Sequence, residues 1–381
     1  MLFGVLLVAI AGAQAPPPAP TPPSAPASAP ASNGGNAAYV PAEVESRTPP
    51  DYPARALRQG REGWARVSFI ISEEGRVIEP MIEDSSSPDF DEPTLRAIES
   101  WLYKPATLGG KPVEQSMVQT IIRYQLRSGE KGAKPKFVSK YRAAYSSVVA
   151  KQLVEAAPLI QELEQGEMNF YEDAWLGWLK YVYLEATGTA TPEALEQALS
   201  RALGSSGSAD DDYLEPAVYV SGWQRLFVIR ARNGDLSGAV TAFERLKASK
   251  AAHRSKSYEE VVASLEPSYR EIMSLVEGPT ILQQKARVEE HDYWVHHMLR
   301  RSFAIGDVQD GKLHVVDVRC TRTNRRFVSL PPESVLTIPD SWGDCSVYIK
   351  GDVGTTFAFE EYPADFSKAA AAGQTAPPLA Q

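Results

Sequence analysis

Two stretches of this sequence are rich in side chains that could bind a metal ion. One is His291-Asp292 followed by His296-His297, and the other is 205–212, which contains three aspartates. On a helix, His291 and His296 would lie about 140° apart, so they would not share a face as ligands spaced four residues apart do. The stretch 205–212 lacks the alternate acidic positions and the final glutamate of a calcium loop. We therefore predict no metal site.

Catalytic motifs are also missing from the sequence. It contains no G-x-S-x-G elbow, no P-loop, no G-x-G-x-x-G fingerprint and no H-E-x-x-H motif. The stripe Trp175, Trp178 and Tyr181 could be a ligand platform, but aromatic residues at helical spacing more often fill a core. We predict a non-enzymatic protein with no cofactor and identify no small-molecule substrate. An enzyme with an unrecognised site in this aromatic segment is the alternative.

The sequence has two cysteines, Cys320 and Cys345. Two thiolates are too few for a four-cysteine zinc site, and one pair is too few for a disulfide-rich miniprotein. In an oxidising compartment, the pair would close a loop of about 26 residues and stabilise the fold by about 3 kcal/mol. We predict a Cys320–Cys345 disulfide, with a reactive thiol as the alternative.

Length and charge limit the class of protein. The chain has 381 residues, of which 43% are apolar, enough for two or three domains with their own cores. Its 48 acidic residues outnumber its 39 basic ones, which gives a net charge of −9. Such a charge repels phosphate backbones and anionic headgroups. We predict no nucleic-acid partner.

The first residues have the features of an export signal. Leu2 to Ala13 is apolar or small throughout and ends in Ala11-Gly12-Ala13, a small-x-small pattern that signal peptidases cleave. Twelve helical residues span roughly 18 Å, too short for a hydrocarbon core of about 30 Å. Residues 1–13 are therefore predicted to be a signal peptide. Secretory signals usually begin with a positively charged region, but residues 1–13 contain no lysine or arginine. The alternative is therefore that the true start codon lies further upstream and that these residues are the end of a membrane anchor.

Proline, alanine, serine and threonine dominate the next segment. Eight of the 29 prolines lie between Pro16 and Pro30. This composition cannot bury enough apolar surface to fold and favours extended polyproline II. We predict that residues 14–40 are a semi-rigid linker.

The pattern then indicates a compact α+β domain over residues 41–127. A short helix after Tyr52-Pro53 is followed by residues 64–71, which alternate as a half-buried strand does. Glu74-Gly75 supplies a hairpin turn. Pro80 predicts that the second strand lies at a sheet edge or a bulge, because proline lacks the N–H that a central strand needs.

A second helix and a third strand complete this domain. Asp91 is predicted to be the N-cap of the helix, and Leu95, Ile98 and Trp101 to form its apolar face. Residues 118–126 then alternate as the third strand. The predicted order is helix, hairpin, helix, strand.

These elements carry several motifs in a fixed order. They are Tyr52-Pro53-x-x-Ala56, Gly60-x-Glu62-Gly63, Val67-x-Phe69-x-Ile71, Gly75-x-Val77, Ser85-Ser86, Trp101-x-Tyr103-x-Pro105-Ala106 and Gly110-x-Pro112-Val113. Together they resemble the C-terminal domain of the TonB family over residues 41–127. The proline-rich segment before them is also typical of TonB-like energy transducers.

The resemblance implies a periplasmic coupling module. In that family, the exposed edge of the last strand pairs with an extended peptide, the TonB box, of an outer-membrane transporter. The partner-binding residues that this implies are Gln119, Thr120, Ile121, Ile122, Arg123 and Tyr124 on the third strand, with Arg47 and Tyr52 near the start of the domain.

Two departures from the family pattern limit what the resemblance implies. The run Pro49-Pro50-Asp51-Tyr52-Pro53 has a proline where family members often carry glutamine, so we expect no side-chain contact to the peptide from that position. TonB proper has an N-terminal anchor with a histidine that engages a proton-driven inner-membrane complex, whereas the first histidine here is His253. We expect the protein to bind a partner without being energised, unless an anchor precedes this sequence.

The rest of the sequence predicts two more domains and a tail. Residues 137–300 have a helical period, with a helix-turn-helix pair around Asn233-Gly234-Asp235 that is weakly similar to tetratricopeptide repeats. Residues 303–364 alternate in short runs between turns, which is typical of a small β-sandwich or barrel. Residues 365–381 are predicted to be a disordered tail. The expected fold class is multidomain: α+β, then all-α, then all-β.

The leader predicts export, and the resemblance implies a periplasmic protein that binds an extended peptide of an outer-membrane or envelope partner. The alternative is a TonB energy transducer, anchored in the inner membrane and coupled to a proton-channel complex, whose anchor is missing from this sequence.

The leader distinguishes these two interpretations. If it is cleaved after Ala13, mass spectrometry of the exported protein will find Gln14 at the N-terminus, and the protein will fractionate with the soluble periplasm. An intact leader in the membrane pellet would contradict the first interpretation.

Overall fold

The computed structural model describes residues 39–126, 132–204, 213–289, 291–328 and 334–364. The predicted signal peptide, most of the predicted linker, the stretch 205–212 and the predicted tail lie outside these residues. The described chain forms an α/β region (39–126), a helical region (132–277) and a β region (282–364). All three regions belong to one compact unit, Ala37–Gln381.

The α/β region contains the predicted helix, hairpin, helix and strand in that order, with five short strands in addition. Its first strand, Tyr39–Val40, lies within the last two residues of the predicted linker. The elements are β1 (Tyr39–Val40), β2 (Glu43–Ser46), α1 (Ala54–Arg58), β3 (Gly63–Ile71), β4 (Val77–Ser85), α2 (Asp91–Glu99), β5 (Leu102–Lys104), β6 (Ala106–Leu108), β7 (Lys111–Val113) and β8 (Gln115–Tyr124).

The strands of this region form one main antiparallel sheet in the order β4-β3-β8, beside the small sheets β2-β5 and β1-β6-β7. Gly75 closes the β3–β4 hairpin with φ of +77°. A Cβ at this position would lie 1.8 Å from the carbonyl oxygen of Tyr103. Only glycine therefore permits the hairpin to pack this closely against β5.

The prediction for Pro80 is confirmed. β4 lies at the sheet edge, and its pairing with β3 shifts register between Ser68 and Ile70, opposite Glu79 and Pro80. Glu79 adopts a left-handed conformation with φ of 50°. The bulge removes a proline from the hydrogen-bonded ladder that it would interrupt.

The central strand β3 is buried on both faces, so the prediction that only one of its faces is buried is wrong. Phe69 belongs to the core of the α/β region, but Trp64, Ser68 and Ile70 on the opposite face are also 0 to 1% exposed. Gly204 of the helical region lies against Trp64, where an added Cβ would be 2.8 Å from the indole ring. The second face is covered by residues distant in sequence, which an alternating pattern does not reveal.

The helical region packs consecutive helices against each other. Asn169 and Glu172 form a capping box at the start of the third of these helices. The predicted turn at residues 233–235 lies between two helices, while the similarity to tetratricopeptide repeats stays a prediction. The helices are α3 (Pro135–Val149), α4 (Leu153–Glu164), α5 (Phe170–Thr187), α6 (Pro192–Gly204), α7 (Pro216–Arg232), α8 (Leu236–Ala248), α9 (Lys250–His253) and α10 (Tyr258–Glu277).

Glu62, before β3, joins the α/β region to the helical region. Its N–H donates to the carbonyl of Met168 at 2.8 Å. Its buried carboxylate accepts the N–H of Leu126 at 2.9 Å and that of Phe170, at the start of α5, at 3.2 Å. An anion at a helix N-terminus is favoured by the helix dipole. One side chain thus holds both the end of β8 and the start of α5.

The β region consists of two four-stranded antiparallel sheets, ordered β10-β15-β12-β13 and β14-β11-β16-β9, that share one apolar core. This is the arrangement of a β-sandwich. The strands are β9 (Leu282–Arg287), β10 (Tyr293–His297), β11 (Ser302–Gln309), β12 (Leu313–Cys320), β13 (Thr323–Phe327), β14 (Leu336–Thr337), β15 (Cys345–Gly351) and β16 (Thr356–Tyr362).

The helical period predicted to residue 300 ends at Glu277, and β9 and β10 follow instead. β9 is built of leucine, glutamine, lysine, alanine and arginine, which are good helix formers, but it pairs with β16 along the sheet. Sheet pairing outweighs the local preference.

Arg300 fixes the end of the last helix to the β region. Its guanidinium donates to four carbonyl oxygens at the C-terminus of α10, those of Leu275, Val276, Gly278 and Thr280. A cation at this end also complements the helix dipole.

The predicted disulfide is present. Cys320 and Cys345 are directly opposed residues of β12 and β15, with an S–S distance of 2.01 Å. Both residues are buried in the core of the β region. The bond therefore links two residues of the sandwich core that are 25 positions apart in the sequence.

Removing this bond is expected to destabilise the protein. Cys345→Ser should lower the free energy of unfolding by about 3 kcal/mol, since the unfolded chain regains loop entropy. Denaturant titration measures the change, and reduced wild-type protein is the matched control, expected to lose a similar amount. Two free thiols in protein taken from the periplasm would contradict the pairing.

Candidate functional site

β8 forms one edge of the main sheet. It pairs antiparallel with β3, with Tyr124 opposite Gly63 and Val118 opposite Phe69. Among the described residues, no other strand pairs with β8. The edge is the feature through which strand addition could occur.

The hydrogen bonds of β3 show which residues of β8 face outward. The carbonyl of Trp64 accepts an N–H from the residue that follows β4, at 2.9 Å. Trp64 therefore bonds toward β4. Because neighbouring residues of a strand bond to opposite sides, Val67, three positions further on, bonds toward β8, where Thr120 is its partner. The two neighbours of Thr120, Gln119 and Ile121, therefore direct their N–H and C=O groups away from the sheet.

The side chains of β8 alternate between the two faces of the sheet. Val118, Ile122 and Tyr124 pack in or against the core of the α/β region. Gln119 pairs with Ser68 and Arg123 pairs with Trp64, so both lie on the opposite face. Of the predicted partner residues, 120, 122 and 124 thus face the core of the α/β region, and 119, 121 and 123 face the opposite side of the sheet.

Tyr52 braces the end of β8. Its phenol donates to the carbonyl of Arg61 at 2.6 Å and lies 3.2 Å from that of Tyr124. The ring packs edge-on against Phe90 and Tyr124. Burial raises the pKa of Tyr52, with Glu62 adding to the effect. The structure therefore brings Tyr52 together with the predicted strand.

Arg47 lies against different residues. Its guanidinium is 4.6 Å from the centre of the Trp101 ring and donates to the Tyr103 hydroxyl at 3.2 Å. This cation–π contact fixes the segment that contains β2. A role for Arg47 in partner binding stays a prediction.

A chain of polar contacts crosses from β8 to the β region. The Gln119 carboxamide donates to both carboxylate oxygens of Glu83, at 2.9 and 3.0 Å. Glu83 also accepts the Tyr348 hydroxyl at 3.2 Å. The Arg319 guanidinium lies 4.6 Å from the centre of the Tyr348 ring.

Arg319 is the buried charge at the end of this chain of contacts. It is 1% exposed and bonds Asp317 at 2.8 Å and Glu79 at 3.0 Å. Arg326 also contacts Glu79. Sequence reasoning missed these residues because Tyr348 is 265 positions from Glu83 and Arg319 is 240 from Glu79, with no local pattern to connect them.

The helix predicted over His291 to His297 is wrong. His296 and His297 are consecutive residues of β10, so their side chains point to opposite faces. His296 Nε2 lies 2.7 Å from Glu361, and His297 Nδ1 lies 2.6 Å from the Ser346 hydroxyl. Burial lowers the pKa of His297. Within the described ranges, no group of three or more His, Cys, Asp or Glu residues is arranged to hold a metal.

The aromatic stripe Trp175, Trp178 and Tyr181 contributes to the hydrophobic core of the helical region. Tyr181 is buried, and Trp175 and Trp178 pack against the same core. The Trp175 indole N–H donates to the carbonyl of Tyr213 at 2.9 Å. A cleft beside this region, lined by Ser237, His296 and other residues, has room for about one water molecule.

No helix in the described part of the chain is both long and apolar enough to cross a membrane.

Comparison with known proteins gives a family match within the α/β region. Residues 48–126 match the family described as Gram-negative bacterial TonB protein C-terminal. A stretch of 66 residues is 36% identical to "Protein TonB" of Pseudomonas aeruginosa, and the match covers 17% of this chain and 19% of that relative.

Two solved structures are also similar to this part of the chain. The C-terminal domain of TonB from Pseudomonas aeruginosa, determined by solution NMR, is 22% identical, with a TM-score of 0.21 over 23% of this chain and 90% of that one. The TonB2 protein of Vibrio anguillarum is 27% identical, with a TM-score of 0.20 over 28% of this chain and 98% of that one. On the family match and the sequence relative, residues 48–126 of this protein are a TonB C-terminal domain.

Proposed function

We propose that the protein is a non-enzymatic interaction module of the periplasm that binds an extended peptide of an outer-membrane or other envelope protein. The unpaired edge of β8 carries this proposal, since Gln119 and Ile121 present N–H and C=O groups to an incoming strand. The TonB C-terminal domain at residues 48–126 supports it.

The other surfaces of the sheet favour the same edge. The face that carries Trp64 and Ile70 is buried under the rest of the chain. At the opposite edge, Pro80 has no N–H and Glu79 lies in a bulge. Of the two described edges of this sheet, β8 therefore offers the more regular ladder, over residues 118–124, beyond the register shift at Met117.

Energy transduction is the second candidate function, and the proline-rich segment 14–40 favours it. It would require an inner-membrane anchor and a proton-channel complex as a second partner. The N-terminal measurement proposed above distinguishes the two candidates.

Proline substitution tests the edge. Ile121→Pro removes an outward N–H and should weaken peptide binding about tenfold or more, because one ladder bond is lost and the ring clashes with the added strand. Ile121→Ala keeps the N–H and should change affinity little. The measurement is titration of the isotope-labelled full chain with extended peptides from outer-membrane proteins, following the amide signals of β8.

Thr120→Pro is the positional control. It removes an N–H that bonds to β3 and should destabilise the fold by about 3 kcal/mol or more. The proposal is wrong if every extended peptide tested leaves the β8 amides unchanged while shifting signals elsewhere.

A further inference from the structure

We infer that Tyr348 of the β region is a positioning residue for the peptide-binding edge and acts through Glu83 and Gln119. The inference rests on the proposed function of β8. It assigns to the C-terminal β region a part in partner binding, although this region lies outside residues 48–126.

The side chain of Gln119 is held across the sheet rather than over its edge. Gln119 is exposed, and its backbone groups point outward. A carboxamide has both donors and acceptors, so a free one could bond the outward groups of its own strand. The two bonds to Glu83 keep the carboxamide away from those groups.

Glu83 is held in turn from the β region. Its carboxylate accepts the Tyr348 hydroxyl, and hydrogen bonds to a charged acceptor are stronger than neutral ones. Burial raises the pKa of Tyr348, so the phenol keeps the proton that it donates. The Tyr348 ring is 1% exposed, between Arg319 and Tyr293, and has a fixed orientation.

Tyr348→Phe tests the positioning role because it keeps the ring and removes the donor. We expect peptide affinity to fall about three- to tenfold, the effect of losing a hydrogen bond. The side-chain amide signal of Gln119 should also shift in the free protein, which reports the loss of its fixed contact. Both are measured on the labelled full chain with the peptides used for β8.

Tyr293→Phe is the matched control. Tyr293 packs beside Tyr348 in the same buried cluster, and its hydroxyl has no hydrogen-bond partner among the described residues. This variant should leave both the Gln119 signal and the affinity unchanged. Equal effects of the two variants would show general loosening of the interface and overturn the inference.

Gln119→Leu tests the same contacts from the exposed end. Its side chain has no carboxamide to be released, so adding Tyr348→Phe to Gln119→Leu should not weaken binding further, and a further loss would overturn the inference. Glu83→Ala, which releases the carboxamide directly, serves if Tyr348→Phe does not fold: it should weaken binding by the same factor as expected for Tyr348→Phe, and an unchanged affinity would overturn the inference. If the wild type binds no peptide, the proposed function fails, whereas an unshifted Gln119 side-chain amide in Tyr348→Phe refutes the positioning itself.

Discussion

The fold depends on the cover over the second face of β3. Trp64 and Ile70 point away from the core of their own region, and each large apolar side chain that is buried contributes about 1.5 to 3 kcal/mol. Gly204 of the helical region covers Trp64, and Tyr293 and Tyr348 of the β region pack with Met81 of β4. Neither region can leave without exposing the sheet. This explains why three regions of different class form one unit.

Buried charges at these boundaries are paired with an opposite charge or hydrogen-bonded to the backbone. Arg319 has carboxylates on both sides of its boundary, Asp317 from its own strand and Glu79 from β4. Glu62 receives backbone N–H groups from two regions. Leaving one member of such a group unpaired is strongly destabilising, whereas the complete group fixes the relative position of the parts. The polar contacts specify a geometry that apolar burial alone would leave loose.

Local pattern predicted the elements that local physics decides. Pro80 indicated an edge or bulge, Glu74-Gly75 a hairpin, and the two cysteines a disulfide. Alternation in β3 showed which side chains share a face, but not that Gly204 and Tyr348 cover the second face, because such contacts join distant positions. Likewise, the residues of β8 whose backbone groups point to the open edge could be identified only from the direction of the Trp64 hydrogen bond in the structure. Sheet pairing also made a strand of Leu282–Arg287, whose composition favours a helix.

The bulge at Glu79 and Pro80 has a consequence for self-association. Open-ended growth through this sheet would require two compatible edges on every copy, one to receive a neighbour and one to extend the row. The β4 edge is interrupted by a residue without an N–H, so copies could join only β8 to β8. Such a pair is related by a two-fold axis and leaves no regular edge for a third copy. One regular edge is enough for the strand addition proposed for β8, but it does not support open-ended growth of this sheet.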